Sequence, residues 1–567
     1  MLSGVKRRSA PSGKRHSFLN GGAKGALRIY ILLAVFLLAT GIVVFRLYNL
    51  QLERGHYYAA LALGQQERFS ELVPPRGNIY LQDKAGTARF LAATNKEVPL
   101  VYAVPKEVED PELVINSLAG ILSLSESDVA TLFSRLGNRG SSYALLARAI
   151  SEDQADRIRG LNLAGVYVRM ETTRFYPAGG TAAHVLGFYG FSGSERTGQY
   201  GIEQEYEDLL SGADDGGSGE VHLTIDYGVQ FVAEQKLRER IEEMGADGGS
   251  IIVMDPKTGA ILAMANAPTF NPNEYGIAED VSIFSNASIQ GRYEPGSIFK
   301  PITMAAALDA GVISPQTTFF DAGSVKLDQY TISNADRKSY GTQTMTQVLE
   351  KSLNTGVVFV QQQLGKARFA EYIRAFGFDD KTGIRLPGEL SGDTRNLNVL
   401  SDVNYGNIAF GQGIALSPLR ILTSFSAISN GGTIMKPYVV QRTVRGGTVE
   451  ETMPQVVRSP ISAATASRVT AMMVSVVEQG SASLAKLPEY TIAGKTGTAQ
   501  VANASSLGYS SRTVHSFVGF APAYNPRFSM IIKLDNPKNT RYAAQSISPL
   551  FGELTSFILQ YYNVPPQ

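Results

Sequence analysis

Ser297 and Lys300 stand three residues apart in the run Glu294-Pro-Gly-Ser-Ile-Phe-Lys-Pro-Ile-Thr-Met-Ala-Ala-Ala-Leu308. A serine hydroxyl is a weak nucleophile until a base takes its proton. A lysine can be that base when burial lowers its pKa. Pro295 and Gly296 break whatever precedes, and Ile302, Ala305, Ala306 and Leu308 give the apolar content of a buried helix. Pro301 has no backbone N–H, so the helix has to begin close to Ser297, where that loss is tolerated. Residues i and i+3 share a helix face, which puts the Lys300 ammonium within reach of the Ser297 hydroxyl.

Ser-x-x-Lys alone is a cheap pattern, and it recurs at Ser3–Lys6 and Ser483–Lys486. Two further clusters follow the 297–300 pair, Ser352-Leu-Asn354 and then Lys495-Thr-Gly-Thr498. Lys-Thr-Gly has decoys of its own. Lys257-Thr-Gly259 lies between the apolar runs Ile251–Met254 and Ala260–Ala265 and reads as a hairpin turn. Lys381-Thr-Gly383 lies between Asp379-Asp380 and Pro387 and reads as a loop. Only Lys495 sits in a strand-like context. A phosphate loop ending at Lys495-Thr496 is excluded, because Glu489 stands where that motif requires glycine. The order Ser-x-x-Lys, Ser-x-Asn, Lys-Thr-Gly resembles the signature of penicillin-binding proteins and serine β-lactamases.

Composition narrows the alternatives. The 567 residues suffice for several domains, and a net charge of +1 gives no argument for nucleic acid. With no cysteine, disulfides and thiolate metal sites are excluded. The five histidines (His16, His56, His184, His222 and His515) show no metal-ligand or triad spacing, so no metal is expected.

Charge is concentrated at the start. Residues 1–28 hold seven Lys or Arg and no acid, and read as a disordered basic tail. Residues 29–45 are uncharged, and seventeen helical residues span ~26 Å, enough for a hydrocarbon core if Arg28 and Arg46 snorkel. A signal peptide and a buried core helix are the competing readings. The missing small-x-small cleavage site argues against the first and the basic flank against the second. The expectation is an anchor at 29–47, with residues 1–28 in the cytoplasm and the rest outside.

Residues 48–218 read as a first α+β region. It has a strand start near Ile79, helices within 105–160 such as Asp128–Leu136 and Glu152–Arg159, and a strand at Val166–Met170. A glycine-rich segment at 214–219 marks the expected boundary. Residues 219–567 then read as α+β: an antiparallel sheet whose strands flank an all-helical insert from about 300 to 375.

Nearly the whole chain resembles a class B high-molecular-mass penicillin-binding protein. The likeness rests on the three motifs, on Gly411-Gln-Gly413 and Ser516–Pro522, and on Arg76-Gly77, Arg174-Phe-Tyr176-Pro177, His184–Gly187 and Gly201-Ile-Glu203. It implies one transmembrane anchor, an elongated non-catalytic pedestal, and a D,D-transpeptidase domain of penicillin-binding/β-lactamase-like fold in the bacterial cytoplasmic membrane. Glu294-Pro-Gly-Ser297 and Asn271-Pro-Asn273 look more like the division-septum enzymes than the elongation enzymes.

The resemblance also implies roles. Ser297 attacks the penultimate D-Ala carbonyl of a peptidoglycan stem peptide, and Lys300 is the base. Ser352 relays protons between Ser297, Lys495 and the leaving amine, while Asn354 bonds Lys300 or the substrate amide. Lys495 keeps the cleft positive, Thr496 and Thr498 bind the substrate carboxylate with Gly497 between them, and the Ser297 and Thr498 N–H groups form the oxyanion hole. No cofactor is called for. Expected partners are stem peptides, β-lactams, membrane lipid, a membrane-embedded glycan polymerase and other division proteins. A β-lactam hydrolase or sensor on the same fold and a non-catalytic scaffold are the rivals. Arg174 and His184 read as structural. Glu389, the one candidate for a hydrolytic base, reads as a surface loop residue.

Overall fold

The computed structural model describes residues 33, 36–41, 43, 75–86, 89–193, 195–212, 216–503 and 508–566. Among these, no helix is long and apolar enough to cross a membrane. The basic tail, most of the expected anchor and the Ser3–Lys6 pair lie outside the described residues.

The described chain divides into two compact units at 96/97 and 172/173. The smaller, Glu97–Thr172, holds helices Pro111–Leu122, Glu126–Gly137 and Glu152–Gly160. Their starts are legible: Asp110 accepts two backbone N–H groups, and Ser125 and Ser151 form capping boxes with Asp128 and Gln154. Val114, Ile115, Leu118, Leu132, Leu136 and Ile158 make its core.

In the larger unit, strand Glu220–Asp226 pairs in parallel with Ile79–Gln82 and antiparallel with Val440–Arg445. Strands from both sides of the 214–219 segment therefore share one sheet. Beside it, Arg76, Arg174 and Glu203 form a buried ion cluster. Glu203 Oε2 accepts Arg76 Nε at 2.6 Å, and Oε1 accepts Arg174 Nε at 2.7 Å and the Tyr176 hydroxyl at 3.2 Å. Asn273 clamps the Tyr176 backbone, accepting its N–H and donating to its carbonyl, each at 2.9 Å. Motifs scattered over two hundred residues thus converge on one knot.

The body that carries the chemistry is built from α1 (Tyr227–Met244), β1 (Gly248–Met254), β2 (Ile261–Ala267), α2 (Lys300–Asp309), α3 (Met345–Glu350), α4 (Asn354–Leu364), α5 (Ala463–Gln479), β3 (Ala493–Ala502), β4 (Tyr509–Ala521), β5 (Phe528–Asp535) and α6 (Ser548–Tyr561). The five strands form an antiparallel sheet in the order β3-β4-β5-β1-β2. The Lys257 turn joins β1 to β2, as its sequence predicts. Side chains alternate along a strand. Phe517 on β4 stacks on Phe551 of α6 at 4.2 Å, whereas Phe520, an odd number of residues on, meets Phe425 of helix Pro418–Ser429. Both faces of the sheet are therefore covered by helices, which is why Ile251–Met254 on β1 and Ile261–Ala265 on β2 are continuous apolar runs.

The insert is not all-helical. Thr318–Asp321 pairs with Gly341–Thr344, and Ser324–Leu327 pairs with Tyr330–Ser333. The segment is rich in Thr, Phe and Tyr and turns at Asp328, Gly323 and Gly341, all at positive φ. Strand-forming side chains between left-handed turns override the surrounding helical composition. Glu389 is also not a surface residue. Its buried carboxylate accepts the Thr382 N–H and hydroxyl and the Gly383 N–H, closing the 381–389 loop around the decoy Lys-Thr-Gly.

Candidate active site

The nucleophile turn is a 3₁₀ turn, Gly296–Phe299, running into α2, with Pro301 in the first turn of that helix where its missing N–H costs nothing. Gly296 has φ +58, and an added Cβ would lie 3.0 Å from the Ala499 Cβ on β3. The turn is also held from the side. Gly296 N–H donates to Gly411 O at 2.9 Å, and a Cβ on Gly411 would lie 2.3 Å from Gly296 O. Glu294 accepts the Gly413 N–H at 2.9 Å and the Tyr509 hydroxyl at 3.0 Å. The residues suggesting a septal type, Glu294 and Asn273, are thus clamps on the local backbone.

Lys300 and Lys495 are both completely buried. They meet at one atom: Ser352 Oγ accepts Lys300 Nζ at 3.2 Å and Lys495 Nζ at 3.0 Å. Lys300 also donates to Ser352 O at 2.5 Å and Lys495 to Thr496 O at 3.0 Å. Burial first, and then the neighbouring Lys495 charge, push the Lys300 ammonium well below its usual range. Burial lowers Lys495 to about 7. A neutral lysine amine has two N–H groups and one lone pair. Both N–H groups of Lys300 serve Ser352, which leaves the lone pair as a base. Expectation and geometry differ here: among the described residues, Lys300 makes no hydrogen bond to Ser297 and is oriented instead by Ser352.

Ser352 sits between α3 and α4 at φ +57, a conformation that costs a non-glycine residue energy and persists where surroundings impose it. They do so through residues that the sequence did not mark. Asn334 Oδ1 accepts the Asn354 N–H at 3.0 Å, and the buried Asp321 accepts Asn334 Nδ2 and the Thr355 hydroxyl. Asn354 donates its side-chain N–H to Ser333 O at 2.9 Å and makes no hydrogen bond to Lys300. The only advance signal was the polar, β-branched character of 318–344.

A cleft of about 850 Å³ opens above this cluster, lined by Ser297, Ser352, Asn354, Thr496 and Thr498 among others. Lys300, Lys495 and Gly497 lie behind its wall. Gly497 has a packing role: a Cβ there would sit 2.9 Å from Ile298 Cγ2 and 3.1 Å from Ile298 N. Glycine alone lets β3 approach the nucleophile turn this closely. Gly497→Ala must displace one of the two, and a misplacement of ~1 Å can cost about a hundredfold in rate. The expected result is penicillin acylation slowed about tenfold or more, with a stability loss of about 1–3 kcal/mol from the overpacking; an unaltered acylation rate would refute this role for Gly497. Thr498 Oγ1 accepts the Ala543 N–H at 3.0 Å, which leaves its own proton free to donate. The remaining Ser-x-x-Lys decoy is peripheral, with Lys486 paired to Glu478. His184 is packed, bonded to Ile283 O and lowered to about 4 by burial.

A cleft serine over two buried lysines that share a second serine, beside an antiparallel sheet covered on both faces, defines a class of serine acyl-transfer fold. The comparisons agree. Residues 249–556 match the penicillin-binding protein transpeptidase domain, and residues 71–224 match the penicillin-binding protein dimerisation domain. The chain belongs to the penicillin-binding protein family, in the class B arrangement of those two domains. It is 33% identical to stage V sporulation protein D of Bacillus subtilis, over 94% of this chain and 86% of that one. It is 28% identical to peptidoglycan D,D-transpeptidase FtsI of Escherichia coli, over 84% and 82%. Among solved structures, apo penicillin-binding protein 3 of Mycobacterium tuberculosis superposes with a TM-score of 0.65 at 31% identity, covering 70% of this chain and 92% of that one. The aztreonam complex of the same protein superposes at 0.68 and 26% identity, covering 87% and 98%.

Proposed function

We propose that this chain is a serine D,D-transpeptidase that cross-links peptidoglycan stem peptides and is acylated by β-lactams. The observation that carries the reading is the shared Ser352 hydroxyl, bonded by two buried lysines beneath the cleft that holds Ser297. The Ser297 oxygen bonds to the penultimate D-Ala carbonyl carbon while Lys300 takes its proton. The C–N bond then breaks, the leaving amine receives a proton through Ser352, and free D-Ala departs. An amine of a second stem attacks the ester, forms the new amide and returns the proton to Ser297 Oγ. The Ser297 and Thr498 N–H groups stabilise the developing oxyanion, each donor being worth ~3 kcal/mol.

In a β-lactam the ring amide takes the place of the D-Ala-D-Ala amide, so Ser297 is trapped as an ester. The transpeptidase names of relatives and the β-lactam complexes of structural neighbours support this reading. The uncharged stretch after a basic tail supports a single-pass anchor with the catalytic domain outside the cytoplasmic membrane. Septal synthesis, with a membrane-embedded glycan polymerase and other division proteins as partners, is the biological setting we propose.

The test is covalent labelling of membranes with a fluorescent penicillin, wild type against Ser297→Ala. A stable labelled band that the variant loses is expected. A band that forms and clears quickly would instead favour a hydrolase, and no band in wild type would favour a scaffold.

A further inference from the structure

The cleft carries a cation that neither the serine motifs nor the lysine pair uses. Arg541 lines it together with Thr496 and Thr498. Its backbone is placed by β3 itself, since Thr498 Oγ1 accepts the N–H of Ala543 two residues further on. The guanidinium carbon lies 5.3 Å from the centre of the Tyr542 ring, and among the described residues Arg541 has no acidic partner.

A substrate ending in a carboxylate needs a positive charge where the Thr496 and Thr498 hydroxyls are. Lys495 is poorly suited to supply it. It is fully buried, its hydrogen bonds go to Ser352 and Thr496 O, and burial lowers it to about 7, so that near pH 7 it is partly neutral. The other cations of the cleft, Arg337 and Lys351, belong to the segments around Asn334 and Ser352, not to the one tied to Thr498, and Lys351 lies by the Tyr340 ring. The cleft's Asp336 is engaged by the Tyr340 hydroxyl and the Lys338 N–H. A guanidinium stays charged at any working pH and matches a carboxylate with two parallel donors.

We propose that Arg541 binds the free carboxylate of the acyl donor, whether the D-Ala terminus of a stem peptide or the carboxylate of a penicillin, together with Thr496 and Thr498. The proposal rests on the transpeptidase reading.

The test uses the full chain and two probes, benzylpenicillin and its methyl ester, which differ only in the carboxylate. Wild type should prefer the acid. Arg541→Gln should slow acylation by the acid about ten- to a hundredfold, the range for losing a hydrogen bond to a charged group. The ester rate should not change, so the preference collapses. Arg541→Lys, which keeps the charge, should retain part of it.

Equal slowing of both probes in Arg541→Gln would overturn the proposal, because it would mean that Arg541 only holds the 541–545 segment. So would an unchanged acid rate, or a lysine variant as indifferent to the carboxylate as the glutamine one. A wild-type chain that benzylpenicillin does not acylate at Ser297 would remove the transpeptidase reading itself, and this proposal with it.

Discussion

Replacing Lys300 with methionine should slow penicillin acylation about a thousandfold, within the range for removing a positioned general base, while the protein keeps or gains thermal stability. The two halves have one cause. Lys300 is fully buried and its pKa is depressed, by burial first and the Lys495 charge second. A lysine whose folded value lies below its unfolded value binds fewer protons in the native state. Its presence therefore costs stability at pH 7, and that cost fades only as pH rises toward the ordinary lysine value of 10.5. Methionine removes the cost along with the base.

The pH profile follows with the same sign. The base acts in its neutral form, so wild-type acylation should fall as pH drops through the depressed Lys300 value. Measurement of acylation rates from pH 5 to 9, beside melting curves for both proteins, checks each part. A methionine variant that acylates within tenfold of wild type would show that another group takes the Ser297 proton.

Glu203→Gln should produce the largest loss of stability. Glu203 is completely buried and is shared by Arg76 and Arg174, with bonds of 2.6 and 2.7 Å. Burial pushes its carboxyl up, but the Arg174 and Arg76 charges outweigh burial and hold it below its usual value of 4.5. Glutamine keeps the shape and removes the charge, which leaves two buried guanidinium groups short of a counter-ion. Glu207 still accepts Arg76 at 2.9 Å, so Arg174 is the more exposed to the loss. Breaking one partner of a buried ion cluster costs about 3–5 kcal/mol.

The sign with pH is that of a depressed carboxylate. The Glu203 contribution is complete above pH 4.5 and is lost as pH falls through the folded value. Urea unfolding of both proteins at pH 7 and pH 4 should show a gap that narrows in acid. A gap below 1 kcal/mol at pH 7 would mean that the cluster contributes little.

Much of the site is legible in the sequence, because the chemistry depends on residue types at short spacings. Pro295, Gly296 and Pro301 bracket a helix start, so the Ser297–Lys300 turn could be read locally. The Lys257 hairpin, the Lys381 loop and the strand around Lys495 were separable by flanking pattern. The strands of the insert were hidden because Asp328 and Gly341 turn it by backbone conformation, which helical composition on either side obscures. Glu389 reads as a surface residue in the sequence because two of its three partners, the N–H groups of Thr382 and Gly383, carry no side-chain signal.

The sequence by itself determined the order of the three motifs, the nucleophile and its likeness to one family. These follow from local rules of capping, periodicity and turn chemistry. Only the tertiary structure decided how the groups meet. It put Lys300 and Lys495, 195 residues apart, on one serine hydroxyl. It held Ser352 at positive φ through Asp321 and Asn334, drew Glu203 between two arginines, and closed β3 on Ile298 through Gly497. The physical reason is that a pKa and a hydrogen bond depend on burial and distance. Long-range packing sets both, and residue spacing along the chain does not encode them.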